Sequence, residues 1–338
     1  MKQKGFTFLE VMIALFIGGL ILGGVMFTYI SMKVTTKDTM TIGELQESGR
    51  LAINIMQRDI EQIGFWGTYY ANSMSAKNIT TATVKTPAAD CFEGANNGSF
   101  PDLTSSSNFR TIYAKTTKIK DNLNCINDGI IPAKDKETDI LQLKFLQGRR
   151  LTVNATNNET QIDKNYFIAE QEKAEFYNGI VDAATLNINA TVWPYSHHVY
   201  YISEQTYKVN NKDITVPALM RKRLVGDEMI SETIMEGVEN MRFVFGLDTN
   251  ADSRVDTYKS INNMQFSDWE SRESILTVQV FLLVRALQED ADLNIKNQTY
   301  ILGEDDKQRE LTFNDNYRRT VFTTTIRLNN VGANLWRI

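Results

Sequence analysis

The chain has 338 residues, of which 42% are hydrophobic and 23% charged, and its formal net charge is −5. This length is sufficient for one large domain or two small domains, each with its own hydrophobic core. The acidic balance argues against general nucleic-acid binding, because nonspecific affinity comes from lysine and arginine side chains that neutralise phosphates. We therefore expect no nucleic-acid partner.

A short basic segment and a long apolar run open the chain. Lys2 and Lys4 precede residues 5–10 (GFTFLE), and residues 11–30 are predominantly apolar. A helix of this length spans about 30 Å, the thickness of the hydrocarbon core of a bilayer. Glu10 lies at the edge of the span, where an ionised group costs at least about 2.5 kcal/mol and is a candidate functional residue. A secretory signal peptide has a shorter apolar region followed by its cleavage site, whereas here glycine precedes the apolar run.

Residues 5–10 resemble the class III signal of type IV pilins and type II secretion pseudopilins. The resemblance implies that a prepilin peptidase cleaves between Gly5 and Phe6 and that Phe6 becomes the N-methylated first residue. Phe8 departs from the leucine or valine that is usual at its position. We expect Glu10 to act in assembly by pairing with the cationic amino terminus of a neighbouring subunit, since low dielectric strengthens such a pair. The alternative is an ordinary signal-anchor with an incidental glutamate.

The basic residues also predict the topology of the chain. Because Lys2 and Lys4 precede the span, the positive-inside rule places the amino terminus in the cytoplasm and the bulk of the chain in the periplasm. We expect a single-pass inner-membrane protein before assembly and an extracellular pilus subunit afterwards.

A second apolar pattern follows the membrane span and predicts that the helix continues. Apolar or small residues recur at steps of three and four, which is typical of a helix with one face packed on a domain. These residues are Ile42, Leu45, Gly49, Ala52, Met56, Ile60 and Ile63. Gly64 and Gly67 mark the expected end of the helix.

The segment 45–67 also resembles minor pilins of the PilW type, and shorter similar segments follow at 199–202, 219–224, 236–239, 245–248, 318–322 and 327–330. The resemblance implies a non-enzymatic subunit that joins other minor pilins in a complex that primes pilus assembly and stays at or near the tip. Its implied partners are the prepilin peptidase, other minor pilins, the major pilin and the inner-membrane assembly platform. The alternatives are a J-type pseudopilin of type II secretion and a membrane-tethered periplasmic adhesion or binding module.

The strand signals predict an α+β fold, in which the long amino-terminal helix packs on an antiparallel sheet. Alternating or β-branched runs occur at 140–146, 185–192, 199–203, 241–245, 274–285 and 321–328. The expected organisation is a leader (1–5), a transmembrane assembly helix (6–32), an amphipathic helical half (33–67), a loop-rich insertion (68–135) and a β-rich globular domain (136–338).

Two further features concern disulfide and metal chemistry. Cys91 and Cys125 are the only cysteines and are predicted to pair in the exported domain, the alternative being two buried thiols. The loop 248–256 has the oxygen-bearing residues Asp248, Asn250, Asp252 and Asp256 at calcium-loop spacing. Ser253 replaces the turn glycine and Lys259 replaces the bidentate glutamate, so the loop is a weak calcium candidate and a solvated Asx turn is the alternative.

Enzyme motifs such as a nucleophile elbow or a Walker A loop are absent from the sequence, and we expect no catalytic residues and no cofactor other than the possible calcium. His197 and His198 are the only histidines, and we expect them to be solvated at a strand edge. The basic clusters at 149–150, 221–223 and 318–319 are too short to predict a DNA-binding patch.

Overall fold

The structure is a computed structural model that describes residues 5–71, 74–94, 96–117, 122–126, 137–209, 212–271, 274–290 and 297–331. Most of the predicted leader, residues 1–4, lies outside the described residues. The chain forms two compact units, Met1–Glu47 and Ser48–Ile338.

Helix α1 (Phe8–Ile60) is 53 residues long and runs through the first unit into the second. Its first part is long and apolar enough to cross a membrane, with a mean hydropathy of 2.3 over the most apolar window, and none of that window is buried. Threonine hydroxyls in the helix donate to the carbonyl four residues earlier, as Thr28 does to Gly24 at 3.0 Å. This bond satisfies the hydroxyl without a solvent partner, which suits an apolar environment.

The last turns of α1 belong to the second unit and are packed in its core. Ala52, Met56 and Ile60 are fully buried, which confirms the amphipathic pattern in this part of the helix. A Cβ atom at Gly49 would lie 2.3 Å from the ring of Phe322. Glycine therefore allows the helix backbone to approach that ring closely.

The chain leaves α1 through a turn that ends in two glycines with left-handed backbone conformations. Gly64 has a φ of +89° and Gly67 a φ of +64°, which side chains other than glycine rarely adopt. Between them Trp66 is buried, and its ring lies 5.0 Å from Phe167 and 6.3 Å from Phe176 in edge-on contacts. This aromatic cluster anchors the segment that follows the helix.

The largest sheet of the second unit has eight strands. They are β1 (Ile79–Thr80), β2 (Ile112–Thr116), β3 (Asp139–Leu146), β4 (Asn165–Ala169), β5 (Ala174–Asn178), β6 (Thr191–Val209), β7 (Lys212–Val225) and β8 (Glu228–Glu236). The strand order is β1-β5-β4-β6-β3-β2, with β7 paired to β6 and β8 to β7. All pairs are antiparallel except β1 with β5. Strand β6 pairs successively with β4, β3 and β7, so its central residues are enclosed by neighbours.

A second sheet contains four antiparallel strands in the order β10-β9-β11-β14, and a separate hairpin pairs β12 with β13. These strands are β9 (Val238–Leu247), β10 (Thr257–Ser260), β11 (Ile275–Arg285), β12 (Gln298–Leu302), β13 (Arg309–Phe313) and β14 (Arg319–Arg327). The short helix α2 (Phe266–Glu270) precedes β11. Hairpin and sheet share one apolar core that includes Val244, Phe281, Leu302 and Phe313. The long apolar helix and mostly antiparallel sheets confirm the predicted α+β class.

One predicted strand is wrong. The alternation at 185–192 suggested a strand, but a 3₁₀ turn occupies Ala183–Thr185 and β6 begins at Thr191. The Asp182 carboxylate accepts a hydrogen bond from the Ala184 amide at 2.9 Å and caps this turn. Ile188, which the alternation would place in a core, is fully exposed.

Candidate functional site

The amino-terminal segment forms a helix cap in which Glu10 takes part. The Thr7 amide and hydroxyl both donate to Glu10 Oε2 at 2.8 Å, and the Glu10 amide donates to Thr7 Oγ1 at 3.3 Å. This reciprocal pattern is a capping box, which satisfies backbone groups that a helix start leaves without partners. Within a single chain Glu10 therefore fixes the beginning of α1.

Large apolar side chains surround this cap and are exposed. Phe6 is 89% exposed, Phe8 81% and Leu9 68%. Contiguous apolar surface of this kind marks a membrane or protein contact in a folded protein. The geometry allows the segment to enter a bilayer or to pack on another apolar helix, with Glu10 as the one charged side chain in that surface.

A buried carboxylate on the last turn of α1, which the sequence did not single out, holds the helix end on the large sheet. Asp59 Oδ2 lies 2.5 Å from His198 Nδ1, 2.5 Å from the Tyr200 hydroxyl and 3.4 Å from Arg221 Nη1. Burial by itself raises the pKa of the Asp59 carboxyl, but these three partners outweigh burial and hold the pKa below its ordinary value. The only sequence signal for this site was an acidic residue one position from the buried Ile60.

His197 and His198 are buried, so the prediction of solvated strand-edge histidines is wrong. His197 is 0% exposed and His198 4%, because they lie in the central strand β6 between β3 and β7. Their side chains point to opposite sides, as neighbouring strand residues do. His198 meets Asp59, whereas His197 Nδ1 lies 2.7 Å from Ser99 Oγ. Burial, with the nearby charges of Lys144 and His198, lowers the pKa of His197 well below its ordinary value.

The predicted disulfide is confirmed. Cys91 and Cys125 are bonded, with an S–S distance of 2.03 Å and Cα atoms 4.8 Å apart. Gln142 of β3 donates a hydrogen bond to the Cys91 carbonyl at 2.7 Å. The disulfide therefore cross-links two parts of the insertion, and the hydrogen bond from Gln142 connects the Cys91 end to the large sheet.

The loop 248–256 uses its oxygen atoms internally. Asp248 accepts hydrogen bonds from the amides of Asn250, Ala251 and Ser253 at 2.6–3.1 Å, and Asp256 Oδ2 accepts from the Thr249 amide. Burial tends to raise the pKa of Asp248, but the backbone donors outweigh it and the pKa is lowered. Among the described residues no group of three or more acidic, histidine or cysteine side chains has metal-binding geometry. Calcium binding by this loop stays the weaker of the two predictions, and the hydrogen bonds of Asp248 have the geometry of an Asx turn.

Arginines of all three basic clusters form ion pairs with acidic side chains. Arg149 binds Glu159, Arg221 and Arg223 bind Glu232, and Arg319 binds Glu239 and Asp315. Lys222 is buried and donates to Ser231. These pairings leave less positive charge for a phosphate backbone than the sequence alone suggests.

An exposed apolar helix whose end is held in a β-rich domain defines a pilin-like class of protein. Residues 1–26 match the family model of the prokaryotic N-terminal methylation motif. Residues 199–330 match the family model of the type IV pilus-assembly protein W, PilW. These matches confirm the resemblance of the chain to type IV pilus-related minor pilins of the PilW type. No curated protein and no solved structure matches the chain.

Proposed function

We propose that this minor pilin joins other minor pilins in a complex that primes assembly of a type IV pilus and stays at or near its tip. The observation that carries the proposal is that one chain contains both an exposed apolar helix, which begins at Phe8, and a segment that matches PilW. Exposure of this apolar helix surface to water is unfavourable. Burial among the helices of other subunits would remove the surface from water.

Processing by the prepilin peptidase would prepare the segment for this role. Cleavage after Gly5 leaves Phe6 as the first residue, so the new amino terminus lies four residues before Glu10. The methylation motif supports this peptidase as a partner. Before assembly, α1 anchors the chain in the inner membrane with the β-rich domain in the periplasm, and the pilus assembly platform then extracts it.

Glu10 would change partners during assembly. In a single chain it accepts the Thr7 hydrogen bonds, whereas in a fibre it would meet the cationic amino terminus of a neighbouring subunit. Between helices buried in an apolar environment, an unpaired carboxylate is costly and a pair is strongly attractive. This difference selects the register in which the subunits associate.

The test compares Glu10→Ala with wild type in a strain that lacks this gene. We expect Glu10→Ala to be cleaved, methylated and retained in the membrane at wild-type level, but to give few surface pili. Thr7→Ala is the matched control, because it removes the capping hydroxyl and leaves the carboxylate available to a neighbour. Surface pili are counted by electron microscopy and protein level is read by immunoblot.

Wild-type piliation by Glu10→Ala, with a deletion that abolishes pili, would contradict the pairing mechanism. A deletion that leaves pili intact but stops secretion of folded exoproteins would indicate a type II secretion pseudopilin instead.

A further inference from the structure

Lys144 of β3 is fully buried in the second unit. Its Nζ lies 3.1 Å from Asn97 Oδ1, 3.1 Å from the Asn97 carbonyl oxygen and 2.8 Å from the Arg110 carbonyl oxygen. The ring of Phe109 faces the same Nζ at 5.0 Å. Burial lowers the pKa of this ammonium to about 7, so a substantial fraction is the neutral, nucleophilic amine near neutral pH.

Asn97 is the natural reaction partner of this amine. Its side chain is 1% exposed, and among the described residues its Nδ2 has no hydrogen-bond partner. Since a carbonyl bond is about 1.2 Å long, Asn97 Cγ lies within about 4.3 Å of Lys144 Nζ. A shift of about an ångström brings the two atoms to the attack distance of about 3–3.5 Å.

A buried acid lies beside the pair. Asp90 accepts hydrogen bonds from the Ser99 amide and hydroxyl, and burial raises the pKa of its carboxyl above the ordinary value. A Cβ at Gly98 would lie 2.8 Å from Asp90 Oδ2, so this carboxyl packs on the residue next to Asn97. Asp90 also interacts electrostatically with Lys144. It is therefore placed to take up and release a proton close to both side chains.

We propose that Lys144 and Asn97 form an isopeptide bond in the folded protein. The lone pair of the neutral Lys144 Nζ attacks Asn97 Cγ, and a new C–N bond forms. The bond between Cγ and Nδ2 breaks, a proton leaves Nζ and a proton reaches Nδ2, with Asp90 as the carrier. One molecule of ammonia is released, and neither an oxidant nor a co-reactant is needed.

The product removes two unfavourable features of this site. The buried ammonium becomes a neutral amide nitrogen, and the buried NH₂ group without a partner leaves the protein. The new bond ties the loop that carries Asn97 to β3. It adds a second covalent cross-link to the Cys91–Cys125 disulfide, and the two together would help a pilus subunit to resist mechanical load.

The test is the intact mass of the full-length mature protein, purified in detergent, reduced and denatured. We expect a mass below that of the methylated sequence by one molecule of ammonia, and a proteolytic digest that contains a branched peptide joining Asn97 to Lys144. A wild-type mass equal to that of the methylated mature sequence overturns the proposal, whatever the variants do.

The controls separate this bond from another reaction that loses ammonia. Asn97 precedes Gly98, a sequence that can cyclise to a succinimide, but a succinimide opens in mild base and does not need Lys144. Lys144→Met is expected to show the full mass, and Asp90→Asn to accumulate uncrosslinked protein after fresh synthesis. A loss of ammonia that persists in Lys144→Met, or that disappears in mild base, refutes the isopeptide bond.

Discussion

Replacing Asp59 by alanine tests how the end of α1 is held in the β-rich domain. The carboxylate is 5% exposed and accepts short contacts from His198 and Tyr200, each at 2.5 Å. Alanine leaves both of these buried polar groups without their acceptor. Arg221 keeps its bond to Glu232 at 2.7 Å, so it contributes less to the loss.

The expected cost follows from these contacts. A hydrogen bond to a charged group contributes about 1.5–3 kcal/mol, and removing one partner of a buried charged network costs about 3–5 kcal/mol. We therefore expect Asp59→Ala to lower the free energy of unfolding by about 3–5 kcal/mol, a large part of a typical domain's stability. Tyr200→Phe removes one of the contacts and should cost about 1.5–3 kcal/mol.

The pH dependence provides a second readout of the same network. The folded pKa of Asp59 lies below the ordinary value of 3.8, so its contribution is present above that pH and is lost as the pH falls through the folded pKa. Wild type should therefore lose part of its advantage in stability over Asp59→Ala as the pH falls below about 4.

The assay is guanidinium unfolding of the full-length mature protein in detergent, followed by tryptophan fluorescence. Glu47→Ala is the matched control, because it removes an exposed carboxylate of the same helix and should change stability by less than about 0.5 kcal/mol. A loss below about 1 kcal/mol for Asp59→Ala, or a difference from wild type that stays constant down to pH 2, would refute the reasoning.

Three further predictions concern processing, the disulfide and calcium. Gly5→Val should leave unprocessed precursor in the inner membrane, read by intact mass, since the bulkier side chain blocks cleavage before Phe6. Replacing Cys91 and Cys125 by serine should lower the free energy of unfolding by up to about 3–4 kcal/mol and leave the circular dichroism of the sheets, because most strands lie outside the closed loop. Calcium at about 1 mM should leave the thermal midpoint unchanged, because the Asp248 oxygens already accept backbone hydrogen bonds.

Each of these has a result that would contradict it. A mature chain that begins elsewhere than Phe6 would argue against the pilin signal. Loss of all sheet structure in the serine variant would mean that the insertion is needed for folding. A calcium-dependent rise in midpoint that Asp248→Asn abolishes would establish the metal site.

Local patterns in the sequence were sufficient to predict the signal in the amino-terminal segment, the apolar helix and the disulfide. Their physical causes act over short distances or depend on composition: a capping box joins Thr7 to Glu10, and helix periodicity follows steps of three and four. With two cysteines in the chain, only one intramolecular pair is possible.

Only the tertiary structure decided what the polar residues of the domain do. Asp59 and Tyr200 are 141 positions apart, and His197 and Ser99 are 98 apart, so only the packing of helix α1 and of the insertion on strand β6 brings them together. Because Lys144 alternates with apolar residues in β3, the sequence pattern predicts that it faces solvent. In the structure the insertion covers that face of the strand, and Lys144 is buried. A sequence pattern shows which side of a strand a residue occupies, but whether that side meets solvent depends on segments far away in the chain.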